Sequence, residues 1–442
     1  MRHYSLQVNP GQYQGELRNI LGMNNSPVAV SKTKIGPQKK LYDDLHIAYI
    51  RHHDASLENK GQNIIDVSRI FPLFHLDEND PRNYDFIQTD DYLSIEADSD
   101  AQIEFRLGEA IDHNGFHRRV DPPSDPEKWA RICANIIRHY AEGWANGMHL
   151  NITRLAIWEE PDTVPALFTG DFDAYIDLFI ASYKVLHAAF PKMSIGGPNC
   201  GTGSIYDDRF IRFLDRCREN GIEPGFIAFT VYTADIDFIP DTVRFIRAKL
   251  DEYGFVNTGI SVSEWHLGPM SWVGAYLPSS PGCDFERPQN ASYTSSTLIR
   301  LMDLPVDAAF FYAWACVGWS TVAMYDGSFR PIPCYYGMKY FTDLACAKKR
   351  LAVTKDAEPE VDVLAAETGD GKIRLLVSCY GGAAFDMKVS VPGAKSCTIK
   401  GVCDEYAQYT PENAVDLPVE NGTARLSLTR GGSAVWLLEF AC

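Results

Sequence analysis

Short apolar runs, many of them β-branched, recur along the first three quarters of the chain, at residues 19–23, 46–52, 102–107, 152–158, 193–197, 226–232, 259–264 and 308–314. Each is short enough for a buried strand and ends in polar residues or glycine, as the C-terminal end of a parallel strand does when it opens into a site. Between them, apolar positions return every three or four residues over 173–189, 208–220, 240–253 and 292–302, the spacing of one helix face. The clearest helix covers 129–140. It is preceded by Ser124-Asp125-Pro126-Glu127, which supplies a cap, a first-turn proline and early acids. Eight strands alternating with helices predict an α/β chain with a (β/α)8 TIM barrel over 15–345. A doubly wound nucleotide fold has no support, because no GxGxxG follows the first strand and no Walker A sequence is present. Residues 54–85 carry several acids with Pro72 and Pro81, and are expected to form a long loop on the barrel's catalytic face.

After residue 345 the pattern changes to period two. Runs at 373–379, 385–391, 397–402, 424–429 and 434–440 alternate apolar and polar positions between Gly, Pro and Asp. They predict an antiparallel β-sandwich over 346–442. Residues 4–9 alternate in the same way, so the N-terminal strand, 1–14, is expected to join it.

Composition narrows the function classes. The 442 residues are 45% hydrophobic and 22% charged, ordinary for a globular protein, and the formal net charge is −17. That charge disfavours nucleic acid and anionic membrane surfaces as partners. The eleven cysteines are scattered without a CxxC pair, which argues against a disulfide framework or a zinc cluster. The N-terminus lacks an apolar core of signal-peptide length and no run approaches a membrane span, so a cytoplasmic location is expected.

The candidate chemistry lies at two strand ends. Leu155-Ala-Ile-Trp158-Glu159-Glu160-Pro161-Asp162 closes the fourth strand, and Gly259-Ile-Ser-Val-Ser-Glu264-Trp265-His266 closes the seventh. A single acid in such a place is ordinarily a solvated loop residue. Two of them, each beside a tryptophan and each at a barrel mouth, supply the pair of carboxylates that glycoside hydrolysis needs, with no cofactor. Arg51-His52-His53-Asp54 looks ligand-rich, but adjacent strand residues face opposite ways, and no HExxH helix is present. No metal site is expected. Aromatic residues near strand ends (Trp158, Tyr232, Trp265, Trp314, Trp319, Tyr325) suit sugar faces but also fill cores. Trp314 is the expected platform, and Trp158 the expected core residue. Glu104, Arg106 and Glu109 on the third strand are read as outer hydroxyl contacts or as partners of one another. Cys316 and Cys334 have no evident His–Asn partner and are expected to be inert.

Trp158-Glu159-Glu160-Pro161 resembles the Trp-Asn-Glu-Pro of clan A glycoside hydrolases, and Ser263-Glu264-Trp265 resembles their nucleophile segment. Within that clan the chain is most similar to glycoside hydrolase family 39, the β-xylosidase and α-L-iduronidase group. The stretches that carry this are Tyr49-Ile-Arg-His-His-Asp54, Gly196-Gly-Pro-Asn199, Phe229-Thr-Val-Tyr232 and Tyr325-Asp-Gly. The resemblance implies Glu160 as acid/base and Glu264 as nucleophile, with Tyr232 bonded to the nucleophile. It implies Arg51, His53 and Trp314 lining the sugar pocket, and Glu159, Asn199, Thr230, Tyr232 and Trp265 are expected as further substrate-binding residues. The pattern is broken at Glu159, where the family has Asn, and at Thr230, where it usually has His. The resemblance thus leads to the expectation of a retaining, exo-acting glycosidase that takes an oligosaccharide or glycoside. Relatives often form homo-oligomers, so a homo-oligomer is an expectation that rests on the resemblance alone. Two other readings stand beside it: a carbohydrate-binding relative with little turnover, and a metal-dependent barrel hydrolase.

Overall fold

The computed structural model describes residues 1–27, 35–53, 63–97, 99–111, 119–268, 287–314, 330–347, 349–403 and 409–442. The first strand, β1 (Arg2–Tyr13), is followed by β2 (Leu21–Asn24), β3 (Tyr49–His52), β4 (Gln102–Leu107), β5 (Ile152–Ile157), β6 (Ser194–Gly196), β7 (Asn199–Gly201), β8 (Phe226–Thr233), β9 (Gly259–Leu267) and β10 (Ala308–Phe311). Strands β2 to β10 form one parallel sheet in the order β6-β5-β4-β3-β2-β10-β9-β8-β7.

The two ends of that order are consecutive in the chain. The fifth apolar run is therefore two strands, β6 on β5 and β7 on β8, interrupted at Gly197-Pro198. Proline has no N–H to give the ladder, which breaks a run that reads as continuous. Backbone bonds from Gly197 to the Phe226 carbonyl (3.1 Å) and from Gly225 to the Ile195 carbonyl (2.7 Å) bridge the seam, so the sheet closes as a barrel. Helices Pro126–Glu142, Phe172–Ala189, Asp208–Glu219, Phe238–Tyr253, Pro288–Met302 and Pro333–Ala345 cover its outside. Asp125 caps the first of these, accepting from the Lys128 backbone at 2.9 Å, with Pro126 in the first turn.

The second sheet joins β1 to β11 (Lys349–Asp356), β12 (Val361–Glu367), β13 (Ile373–Gly382), β14 (Phe385–Ser390), β15 (Ser396–Cys403), β16 (Val415–Leu417), β17 (Thr423–Leu428) and β18 (Gly432–Ala441). β1 lies antiparallel to β11 and parallel to β14. The remaining pairings are antiparallel and enclose a separate apolar core around Leu6, Val8, Leu375, Val389 and Trp436. Helix Pro288–Met302 packs between barrel and sandwich. Ser296 donates to Ser378 (2.9 Å), Ser378 to the Ser292 carbonyl (2.9 Å), and Arg300 pairs with Asp362 (3.0 Å).

Candidate active site

Strand β3 carries Arg51 one residue before its end, where no solvent reaches it. Its Nη1 donates to Asn24 Oδ1 (2.8 Å) and to Glu264 Oε1 (3.2 Å), and its Nη2 donates to Glu159 Oε2. The next two residues part company as strand alternation requires. His52 turns outward onto Glu96 (2.9 Å), while His53 lies between the two acids, Nε2 3.0 Å from Glu264 and Nδ1 3.3 Å from Glu159. Asn199 on β7 donates to the other Glu159 oxygen at 2.7 Å. Glu159 is thus faced by Arg51, His53 and Asn199 together.

Glu159 and Glu160 are neighbours in sequence, yet both are buried, 1% and 4% exposed. The backbone explains this: Trp158 has φ +67° and Glu160 φ +33°, so the chain leaves β5 through left-handed conformations that break strand alternation. Such geometry costs about 1–3 kcal/mol per residue and persists where surrounding contacts enforce it. Here the Trp158 N–H donates to the Leu107 carbonyl (2.6 Å), its indole N–H to the Leu167 carbonyl (2.8 Å), and its ring packs on Trp129 and Phe168. Trp158 is a core residue that anchors the turn.

Glu264 sits on β9 opposite Thr230 in the register of β8. Tyr232, two residues further along β8, donates its hydroxyl to Glu264 Oε2. The ring of Tyr232 rests against His266 at 4.5 Å, and burial holds that imidazole down at about 4, in its neutral form.

The two acids titrate in opposite directions. Burial acts to raise Glu264, but the His53 and Arg51 charges and the Tyr232 hydroxyl overcome it and bring the carboxyl down to about 2. Glu160 is pushed well above the usual carboxylate range, first by burial and then by the charges of Glu264, Glu159 and Asp162. Hydrogen bonding from Thr230 opposes this, and Thr163 Oγ1 lies 3.3 Å from Glu160 Oε2. Burial also lifts Glu159, against the pull of Arg51 and His53. One site therefore favours the ionised form of Glu264 and the protonated form of Glu160, a pairing of the kind that acid-assisted displacement uses.

Arg51, His53, Glu159, Glu160, Asn199, Thr230, Tyr232 and Glu264 converge at the barrel mouth. The two tryptophans expected on the sugar do not join them. Trp265 points to the helix layer, edge-on to Phe311 and tilted against Tyr293. Trp314 is 2% exposed, packs edge-on against Tyr42 at 5.1 Å and directs its indole N–H to Gln38 (3.4 Å). The aromatic ring at that corner is Tyr312, 6.0 Å from the rings of both His53 and Tyr232. Asn24 is the second residue that the sequence did not single out. It accepts from Arg51 and donates to the Ser263 (2.8 Å) and Phe310 (3.2 Å) carbonyls, tying strand ends together. Glu104 contacts Arg51 and Arg154, Arg106 pairs with Asp66 (2.7 Å), and Glu109 accepts from Ser68 (2.6 Å), so these three have other partners than one another. Cys334 is buried, its thiol pushed up by that burial. Trp319, Tyr325, Cys316 and Asp54 lie outside the described residues.

Donor atoms of His53, Glu159 and Glu264 lie within 4.8 Å of one another, close enough to share a cation. The Arg51 guanidinium already contacts oxygens of both acids, so a divalent ion there would meet a fixed positive charge. No helix among the described residues is long and apolar enough to cross a membrane.

Residues 17–249, more than half of the chain, match the family model described as glycosyl hydrolases family 39. Similar solved structures include a glucosidase from Croceicoccus marinus (TM-score 0.75, 19% identity, 99% of each chain covered). A GH39 enzyme from Xanthomonas axonopodis pv. citri matches with TM-score 0.72 and 15% identity, over 99% of this chain and 97% of its own. A monomeric β-xylosidase from Caulobacter crescentus CB15 matches with TM-score 0.70 and 16% identity, over 100% of this chain and 99% of its own. Among curated proteins none matches.

Proposed function

The chain belongs to glycosyl hydrolases family 39 and is a glycoside hydrolase, and from that premise we propose a retaining, exo-acting enzyme with Glu160 as acid/base and Glu264 as nucleophile. The observation that carries the assignment is the opposite displacement of the two carboxyls within one buried site. Glu264, ionised and aligned by Arg51, His53 and Tyr232, attacks the anomeric carbon while Glu160 gives its proton to the leaving oxygen. The departing alcohol is then replaced by water, which the Glu160 carboxylate deprotonates as it attacks the glycosyl ester, releasing Glu264 and restoring the starting protonation. Tyr312 and His53 flank the sugar's position. Exo action draws on the long segment between β3 and β4, which would close one end of the cleft.

A 2-deoxy-2-fluoro aryl glycoside tests the reading. It is expected to inactivate the enzyme with a sugar esterified to Glu264, identified by peptide mass. Full turnover by Glu160→Ala and Glu264→Ala would overturn it. The glucosidase and the β-xylosidase among the similar structures make glucosides and xylosides the first sugars of the panel, followed by arabinosides, galactosides, uronides and amino sugars.

Glu159 favours an altered subsite beside the nucleophile, since its oxygens accept from Arg51 and Asn199 and, unless protonated, cannot donate to a sugar hydroxyl. Glu159→Asn is expected to change the order of preference across that panel by about tenfold or more, and an unchanged order would remove this part of the proposal. The second reading, a sugar-binding relative with little turnover, draws on the same residue and predicts sugar affinity without label on Glu264. A cytoplasmic location belongs to the proposal too, supported by nine described cysteines that are all free thiols; cell fractionation checks it.

A further inference from the structure

Beneath the acids the barrel interior carries a column of alternating charge. Arg51, Glu104 and Arg154 are register partners on three adjacent strands, β3, β4 and β5. Arg51 Nε lies 3.4 Å from Glu104 Oε1, and Arg154 Nε donates to Glu104 Oε2 at 3.0 Å. Arg154 Nη1 reaches Asp307 at the foot of β10 (3.4 Å), its Nη2 donates to Ser261 on β9, and its guanidinium lies over the Phe226 ring at 4.0 Å. Arg51 and Glu104 are wholly buried, Arg154 nearly so, and Asp307 meets solvent at the far end.

A barrel core needs none of this. Apolar side chains fill such interiors, and replacing buried ion pairs by well-packed apolar groups is often neutral or stabilising. The column also ends on the chemistry. The Arg51 guanidinium, which faces Glu104 on its Nε edge, touches Glu159 and Glu264 on its other two nitrogens. A planar, rigid fork transmits orientation from one edge to the others. We propose that Glu104 and Arg154 are positioning residues for the reaction, holding the Arg51 fork against Glu159 and Glu264 and setting the local charge beneath the acids. This inference rests on the roles assigned above to Glu160 and Glu264.

The sign of each charge makes it testable. Around Arg51 stand Asn24 from β2, His53 from its own strand's exit, Glu104 from β4, Glu159 beyond β5 and Glu264 from β9. Around Glu160 stand Glu159, Asp162 and Glu264, with Thr163 and Thr230. Removing the Glu104 charge takes one anion from below this group, so Glu160 loses its proton more easily. Removing the Arg154 charge leaves Glu104 less compensated and does the reverse.

The test is the pH profile of kcat/KM on an aryl glycoside that the wild type cleaves, for Glu104→Gln, Arg154→Met and the charge-balanced double variant. The alkaline limb is expected to move to lower pH by about half a unit in Glu104→Gln and to higher pH by a similar amount in Arg154→Met. In the double variant kcat falls about tenfold or more with KM little changed and Tm near wild type. A merely structural pair would lower Tm without opposite shifts of the limb. Should the single variants fail to fold, the double variant still decides: wild-type kcat in a folded double variant overturns the inference. If Glu160→Ala and Glu264→Ala keep full turnover, the underlying assignment has failed instead.

Discussion

Tyr232 donates its hydroxyl to one oxygen of Glu264 while Arg51 and His53 face the other, so the proposed nucleophile is held from both sides by groups on β8 and at the end of β3. The phenol favours the ionised carboxylate, and it does so in a site from which water is largely excluded. Tyr232→Phe leaves that oxygen short of a donor. We expect kcat/KM to fall about 10- to 100-fold, the equivalent of roughly 1.4–2.7 kcal/mol. Because a stabiliser of the anion is lost, Glu264 titrates above its present value of about 2 and the acidic limb of kcat/KM moves to higher pH. A limb unmoved in a steady-state pH series would remove Tyr232 from this role.

Glu160→Ala separates the proposed acid from the proposed nucleophile. Proton donation matters in proportion to the basicity of the leaving group, so loss should be about 10²- to 10⁴-fold on alkyl glycosides and much smaller on dinitrophenyl glycosides. With the activated substrates the second step becomes limiting, because no base is left to deprotonate the attacking water. A small external anion such as azide is then expected to restore turnover and to yield a glycosyl azide. Equal losses across leaving groups would argue that Glu160 does not protonate the aglycone.

Burial and neighbouring acids favour the protonated form of Glu160 at a cost in stability, and the sign can be worked out. A carboxyl whose folded value lies above its unfolded value of about 4.3 binds a proton in the native state that the unfolded chain has released. Stability therefore declines as pH rises from about 4.3 toward the raised folded value, and is flat above it. Glu160→Gln mimics the protonated form at every pH. Its Tm should match wild type below about pH 4 and exceed it by roughly 2–4 °C or more at pH 7 and above. Glu264 has the opposite sign, its contribution present above about pH 4.3 and fading as pH falls toward about 2. Thermal melts of the two proteins from pH 4 to 8 decide the matter; a Tm difference that does not grow with pH would contradict the assignment of Glu160 as the protonated partner.

Much of this was legible in the residues, for reasons that also mark where legibility stopped. Buried parallel strands are apolar along their whole length, so the barrel strands stood out from the helices between them. The break at Pro198 is the exception, a local removal of one donor inside an otherwise uniform run. Period two separated His52 from His53 correctly, and the same reasoning applied to Glu264 and Trp265 places the tryptophan on the helix side, where it packs on Tyr293. It could not choose between Tyr312 and Trp314, which share a parity and follow the end of β10. Nor does periodicity reach Glu159 and Glu160, because the left-handed residues at 158 and 160 belong to no strand pattern. Asn24 left a faint signal, an amide at the tip of an apolar run. What the sequence could not display was the partner set, in which one guanidinium links acids from β4, the turn beyond β5 and β9.

The turn that carries both acids also depends on a glycine in another strand's exit. Gly108 follows β4 with φ +129°, and a Cβ there would stand 2.9 Å from Trp158 Cε3 and 3.0 Å from Trp158 Cα. The second of these is backbone and cannot swing aside. Gly108→Ala must therefore displace Trp158, whose own N–H is tied to the Leu107 carbonyl, and with it Glu159 and Glu160. A displacement of about 1 Å at reacting groups can lower rates by about 10²-fold, so kcat should fall by that order. The backbone strain alone costs about 1–3 kcal/mol, and Tm falls too. Gly254→Ala supplies the contrast. It also has positive φ, +76°, but a Cβ there meets nothing within 4 Å. Its Tm should drop by a comparable amount while kcat stays within about twofold of wild type. If both variants lose stability and neither loses rate, the position of Trp158 does not govern the acids, and the turn at 158–160 is held by its other contacts.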